Sequence, residues 1–94
     1  MDSTALWYVY ILKCADNTLY TGITVDVKRR LVQHNSGKGA KYTRSRTPVE
    51  VMYTEVAECR SSATKREMAI KKMTKTQKQQ LILNGALTVK QLDL

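Results

Sequence analysis

The chain has 94 residues, enough for one modest hydrophobic core but not two. Its 43% hydrophobic and 26% charged composition, with one Pro and four Gly, excludes a disordered or linker-rich chain. Sixteen Lys and Arg against eight Asp and Glu give a formal charge of +8, which favours a polyanionic partner such as nucleic acid.

Cys14 and Cys59 stand far apart, with no CxxC pair and no His at zinc-ligand spacing. Structural zinc is therefore not expected, and two free thiols in a reducing cytoplasm are. The opening MDSTALWYVYILK has an acidic start and an apolar run of only seven residues, so it reads as neither a signal peptide nor a membrane span. The expectation is a single domain over residues 1–94.

Residues 6–12 (LWYVYIL) form a continuous run of β-branched, aromatic and Leu side chains. That is the pattern of a strand covered on both faces, hence central in its sheet. Residues 15–17 turn the chain, and residues 18–23 (TLYTGI) read as the return strand, where Gly22 signals a bulge or a close backbone approach. Side chains alternate along a strand, so loop length decides whether Tyr10 and Tyr20 share a face. A two-residue Asp16-Asn17 loop puts them on opposite faces. A three-residue loop from Ala15 to Asn17, with Asn17 left-handed in a bulged turn, puts them on one face, and this is the expectation.

Asp26 is a good N-cap for a helix to about Ser36, with Val27, Leu31 and Asn35 on one stripe and Gly37 as the stop. Arg30 and His34 are i,i+4 neighbours on it. Residues 37–48 (GKGAKYTRSRTP), with Lys38, Lys41, Arg44 and Arg46, read as a basic loop. Residues 49–56 (VEVMYTEV) read as a third strand paired with the first. Ser61 or Ser62 opens a helix to about Met73, with Ala63, Glu67, Ile70 and Thr74 on one stripe. A further helix spans about residues 75–83, ended by Asn84-Gly85, and residues 88–92 add a last turn. The order ββαβαα gives an α+β domain, a three-stranded antiparallel sheet flanked by helices.

Tyr8-Val9-Tyr10, Tyr20-Thr21-Gly22, Arg30, His34 and Glu67 follow one another in an order that resembles the GIY-YIG nuclease family. The first triplet stands where the family has Gly-Ile-Tyr, and the second where it has Tyr-Ile-Gly. The resemblance covers nearly the whole chain and is closest to the small stand-alone bacterial YhbQ-like members, through the run YTGITVDVKRRLVQHN. Two departures stand out: Tyr8 replaces a small residue, and Ile23 occupies a place where some members carry Lys.

The resemblance implies hydrolysis of a nucleic-acid phosphodiester with one divalent ion, Mg²⁺ or Mn²⁺. Glu67 would be the only protein ligand, which suits an ion that keeps several waters. Arg30 would neutralise charge on the phosphoryl oxygens. Tyr10 by preference would orient or deprotonate the attacking water, while Tyr20 binds the phosphate or shares that role. A phenol titrates near pH ~10, so a base role needs a nearby cation to lower it. His34 would accept a proton or bind phosphate, because free imidazole titrates near neutrality.

Tyr8, Gly22, Lys38, Lys41, Arg44, Arg46 and, by resemblance, Asn84 are the candidate substrate contacts. The expected partner is DNA, with RNA also open. The catalytic fold uses up the chain, so little sequence preference is expected; a structure-selective role in DNA repair or recombination, as a monomer guided by DNA shape or a further protein, follows from the resemblance. Against these readings stand plainer ones: strand aromatics for the tyrosines, a solvated helix face for Arg30, and a capping box from Thr64 to Glu67. A catalytically weak nucleic-acid-binding module and a protein-interaction domain are the alternative functions.

Overall fold

The computed structural model describes residues 6–85. The last turn expected at 88–92 lies outside them. The elements are β1 (Trp7–Lys13), β2 (Leu19–Thr24), α1 (Val27–Asn35), α2 (Lys41–Arg44), β3 (Glu50–Ala57), α3 (Arg60–Lys71) and α4 (Lys75–Asn84). The three strands form one antiparallel sheet in the order β2-β1-β3, so the apolar first strand is central.

Both faces of β1 are covered, which is why its sequence does not alternate with polar residues. Val9 and Ile11 point to one side, where they pack with Tyr53 and with Ala63 and Ile70 of α3. Tyr10, Leu12 and Cys14 point to the other, against Val49, Val51, Tyr20 and Leu31 of α1. Burying each of the larger aliphatic side chains contributes roughly 1.5–3 kcal/mol, so these two small clusters carry most of the fold.

β1 and β3 slip register between Ile11, opposite Tyr53, and Leu12, opposite Val51. Met52 is the extra residue, and the bulge sends Val51 and Tyr53, two apart in sequence, to opposite faces. The β1–β2 register is unbroken, so Gly22 marks a close approach and not a bulge.

Helix starts differ from expectation in one place. Asp26 caps α1 by accepting from the Arg29 N–H (3.1 Å), and Thr74 caps α4 in a box with Gln77. Cys59, not Ser61 or Ser62, is the N-cap of α3, with the Ser62 hydroxyl accepting from the Cys59 N–H. The exposed Cys59 thiol is held below its usual range by the backbone and side chain of Ser62 at this helix start. The Thr64 hydroxyl donates to the Arg60 carbonyl within α3, so Glu67 is not the far half of a capping box. In α1 the inward stripe is Val27, Leu31 and His34; Asn35 instead exchanges two hydrogen bonds with the Val49 backbone, 2.7 and 3.1 Å.

The segment read as a loop contains the four-residue helix α2. One turn without side-chain capping carries no periodicity to read in advance.

Candidate active site

The site begins with the turn. Asn17 is left-handed (φ 68°), the Asn17 N–H donates to the Cys14 carbonyl (2.9 Å), and the Cys14 N–H to the Thr18 carbonyl (2.8 Å). The loop is thus the three-residue Ala15 to Asn17, and Tyr10 faces Gly22 while Leu12 faces Tyr20. Paired residues share a face, so both tyrosines lie on the α1 side, ring centroids 6.5 Å apart. Gly22 leaves room for the Tyr10 phenol: a Cβ there would lie 2.5 Å from its hydroxyl.

Tyr10 is 2% exposed, whereas Tyr20 is half-buried. The Tyr10 hydroxyl is 2.9 Å from His34 Nε2, and His34 Nδ1 is 2.8 Å from the Thr43 hydroxyl. Thr43 spends its one hydroxyl proton on the Ala40 carbonyl (3.0 Å), so it can only accept from His34. That assigns the proton to Nδ1, leaves Nε2 bare, and makes Tyr10 the donor. Gly39 is the second clearance residue, since a Cβ there would run into the His34 ring and backbone.

These contacts correct two expectations. His34 is fully buried with both ring nitrogens engaged, and burial with the nearby Arg30 charge lowers its pKa to about 4. It is neutral at pH 7 and presents no free nitrogen to a phosphate. Tyr10 is raised, chiefly by burial; a hydrogen bond with Arg30 and the Arg30 charge oppose this only in part, and Tyr20 and Glu67 add to the rise. A neutral His34 supplies no cation to bring it down.

Arg30 is part-buried on α1, and Tyr10 and His34 both feel its charge. Among the described residues its side-chain hydrogen bond goes to the Gln33 amide oxygen (3.1 Å), a neutral acceptor. Glu67 reaches the same neighbourhood from α3, since its charge also bears on Tyr10. Its side chain is 18% exposed and its ion partner is Lys71 (3.3 Å), itself 52% exposed. No group of three or more His, Cys, Asp or Glu forms a metal cage among the described residues. A mostly buried carboxylate with one exposed ammonium partner fits an ion that draws its other ligands from water and substrate.

Sequence reasoning missed α2. Thr43 on its inner side orients His34, and Tyr42 beside it stacks on Tyr20 (5.9 Å, 24°). The Arg46 guanidinium lies 4.1 Å from the Tyr42 ring centroid. A Tyr among Lys and Arg was the available signal, but nothing local says which aromatic it meets.

The other candidates are dispersed. Lys38, Lys41 and Arg44 are exposed around α2. Tyr8 pairs with Thr24 and Val56 on the same face as Tyr10. Asn84 is not gathered with the tyrosines: at the end of α4 it lines a groove with Leu81 and residues 53–56 of β3, on the edge away from β2.

The fold and the cluster define a small α+β domain with two phenols, an arginine and a carboxylate converging at one hairpin. Residues 6–80 match the model of the GIY-YIG catalytic domain, and the chain belongs to that family. It is 57% identical to a UPF0213 protein of Syntrophus aciditrophicus over 76 residues, 80% of this chain and 87% of the relative. A UPF0213 protein of Desulfotalea psychrophila is 56% identical over 77 residues, 81% and 70% of the two chains. Among solved structures, the solution structure of a UPF0213 protein from Bacillus halodurans is 44% identical with a TM-score of 0.55, covering 85% of this chain and 86% of that one. No helix among the described residues is long and apolar enough to cross a membrane.

Proposed function

We propose that this protein is a Mg²⁺- or Mn²⁺-dependent nuclease that hydrolyses DNA phosphodiester bonds with little sequence preference. The observation that carries this is a pair of opposite charges whose fields reach Tyr10, neither of them matched by a buried counter-ion among the described residues. Arg30 meets only the Gln33 amide oxygen and the neutral Tyr10 phenol, with no carboxylate among the described residues, and Glu67 has only an exposed ammonium. An arginine fork suits phosphoryl oxygens, and a single carboxylate suits a hydrated hard cation.

Arg30 would neutralise the charge that develops on the phosphoryl oxygens during in-line attack by water. Glu67 would hold the divalent ion, which when bound supplies Lewis-acid polarisation of the phosphate. Tyr20, half-buried and edge-on to His34 (5.4 Å), is the phenol open to the attacking water. Tyr10 stays protonated and fixes the depth of the pocket through its bond to His34. Lys38, Lys41 and Arg44 would contact flanking phosphates, making binding salt-dependent and largely sequence-independent. The chain would act as a monomer, with DNA shape or a partner protein directing it to nicks, flaps or ends in repair or recombination.

One observation favours the weaker alternative, a nucleic-acid-binding module without efficient catalysis: neither Tyr10 nor His34 is poised as a base at neutral pH. Cleavage of nicked, flapped and duplex DNA and of RNA, with and without Mg²⁺, tests both readings. The nuclease reading requires cleavage by wild type that depends on the ion and is lost in Glu67→Ala and Arg30→Ala. Equal cleavage by wild type and Glu67→Ala would sink it, and salt-dependent binding without cleavage would favour the alternative.

A further inference from the structure

The contacts over Tyr20 continue beyond its own hairpin. Tyr20 stacks on Tyr42, and Tyr42 lies under the Arg46 guanidinium. Arg46 Nη1 donates to the Tyr42 carbonyl (2.8 Å) and Nε to Asp16 Oδ2 (3.0 Å), while the Arg46 carbonyl accepts from the Ala15 N–H (2.8 Å). Asp16 Oδ1 in turn accepts from the Thr18 N–H and hydroxyl, at 3.1 and 2.6 Å. The path therefore runs from the turn that sets the face of Tyr20, through Arg46, to the ring that stacks on it.

We infer that Tyr42, Arg46 and Asp16 are positioning residues for Tyr20, and that Arg46 serves this internal tie and not a substrate phosphate. A half-buried phenol on an edge strand has several staggered rotamers open to it, and it orients a reacting group only if neighbours exclude the others. His34 bounds the Tyr20 ring from α1 at 5.4 Å, and Tyr42 bounds it from α2. Arg46 fixes Tyr42 by stacking and by a hydrogen bond to its backbone, and its charge meets the Asp16 carboxylate. A guanidinium so engaged has fewer N–H groups left for a phosphate than Lys38, Lys41 or Arg44, for which no side-chain partner appears among the described residues.

The inference rests on the proposed nuclease reading, so its test includes a measurement without DNA. The ring-proton resonances of Tyr20 are followed by NMR in wild type, Tyr42→Ala, Tyr42→Phe and Asp16→Asn, and cleavage of nicked DNA with Mg²⁺ is measured at saturation. Tyr42→Ala should move the Tyr20 resonances and lower kcat about tenfold with KM nearly unchanged, and Tyr42→Phe should restore both. Asp16→Asn keeps an acceptor for Thr18 but cannot accept from Arg46, and should lower kcat about threefold.

A phosphate-binding Arg46 gives the opposite result: freed from Asp16 it would tighten DNA binding and leave kcat alone, and Arg46→Gln would reduce the salt slope of binding by about one. That pattern overturns the inference, as do unmoved Tyr20 resonances in Tyr42→Ala, or moved resonances with kcat unchanged. If wild type cuts no DNA, the nuclease reading fails by itself, and the Tyr20 resonances in Asp16→Asn, which keeps both rings, still decide whether the Arg46 tie orients the ring: moved resonances support it and unmoved ones overturn it.

Discussion

Each face of the sheet carries a buried tyrosine with a raised pKa, Tyr53 of β3 on one and Tyr10 of β1 on the other, and the two are partnered in different ways. On the α3 side the Tyr53 hydroxyl donates to Glu55, which is also bonded to Arg66 (2.8 Å). Burial and the Glu55 carboxylate push Tyr53 up to about 12, and every charge in that trio has its opposite. On the α1 side Tyr10 donates to a neutral imidazole, and the chain ends on the Ala40 carbonyl without meeting a carboxylate, Arg30 being the charge beside it. Arg30 and Glu67 nearby are left to other partners. A closed ion network holds a helix to a sheet, whereas an open one next to a hydrogen-bonded scaffold can receive a charged ligand.

The sharpest way to break this contrast is to remove the two charges that lack a buried counter-ion. Glu67→Ala and Arg30→Ala should each reduce cleavage by roughly 10²–10³-fold while the thermal midpoint stays near wild type. A large loss of stability in either would move it into the structural class with Glu55 and Arg66.

Acid titration separates the two faces next. His34 is held to about 4 against an ordinary value near 6.5, so the unfolded chain binds its proton first. Stability from this group is full above pH ~6.5 and is lost as pH falls toward 4, by about 2–3 kcal/mol. Urea midpoints between pH 7.5 and 4.5 should therefore fall in wild type and flatten in His34→Gln. Asp16, also held low, acts only below its ordinary range and does not enter this window.

Steric tests follow. Gly22→Ala and Gly39→Ala crowd Tyr10 and His34 respectively and should cost about 1–3 kcal/mol each, read as a lowered urea midpoint. The smallest effect belongs to the closed network: Tyr53→Phe leaves Glu55 paired with Arg66 and should cost about 1 kcal/mol with cleavage unchanged. A loss of cleavage there would mean that the two faces are coupled.

Most of the fold was legible in the sequence because it rests on local signals. The apolar run named the central strand, Asp26 and Gly37 bounded α1, and the odd turn before Thr18 put both tyrosines on one face. What was not legible depends on contacts between distant positions. Nothing near His34 announces that Thr43 will accept a hydrogen bond from its Nδ1, or that Tyr10, strand-like in pattern, will be sealed under Gly22. Arg46 reads as one more basic loop residue until Asp16, thirty positions away, is brought beside it. The bulge at Met52 is equally silent, since it is the opposing strand that defines it.

The left-handed Asn17 turn has an evolutionary consequence. Where the turn keeps its three-residue form, losing or gaining one residue between Cys14 and Thr18 slips the β2 register by one and carries Tyr20 across the sheet, into the company of Ile11 and Ile70. Two residues added together would leave it where it is. A single-codon change in this turn is thus tolerated only where a different turn type preserves the register; otherwise it erases the paired phenols without touching either tyrosine.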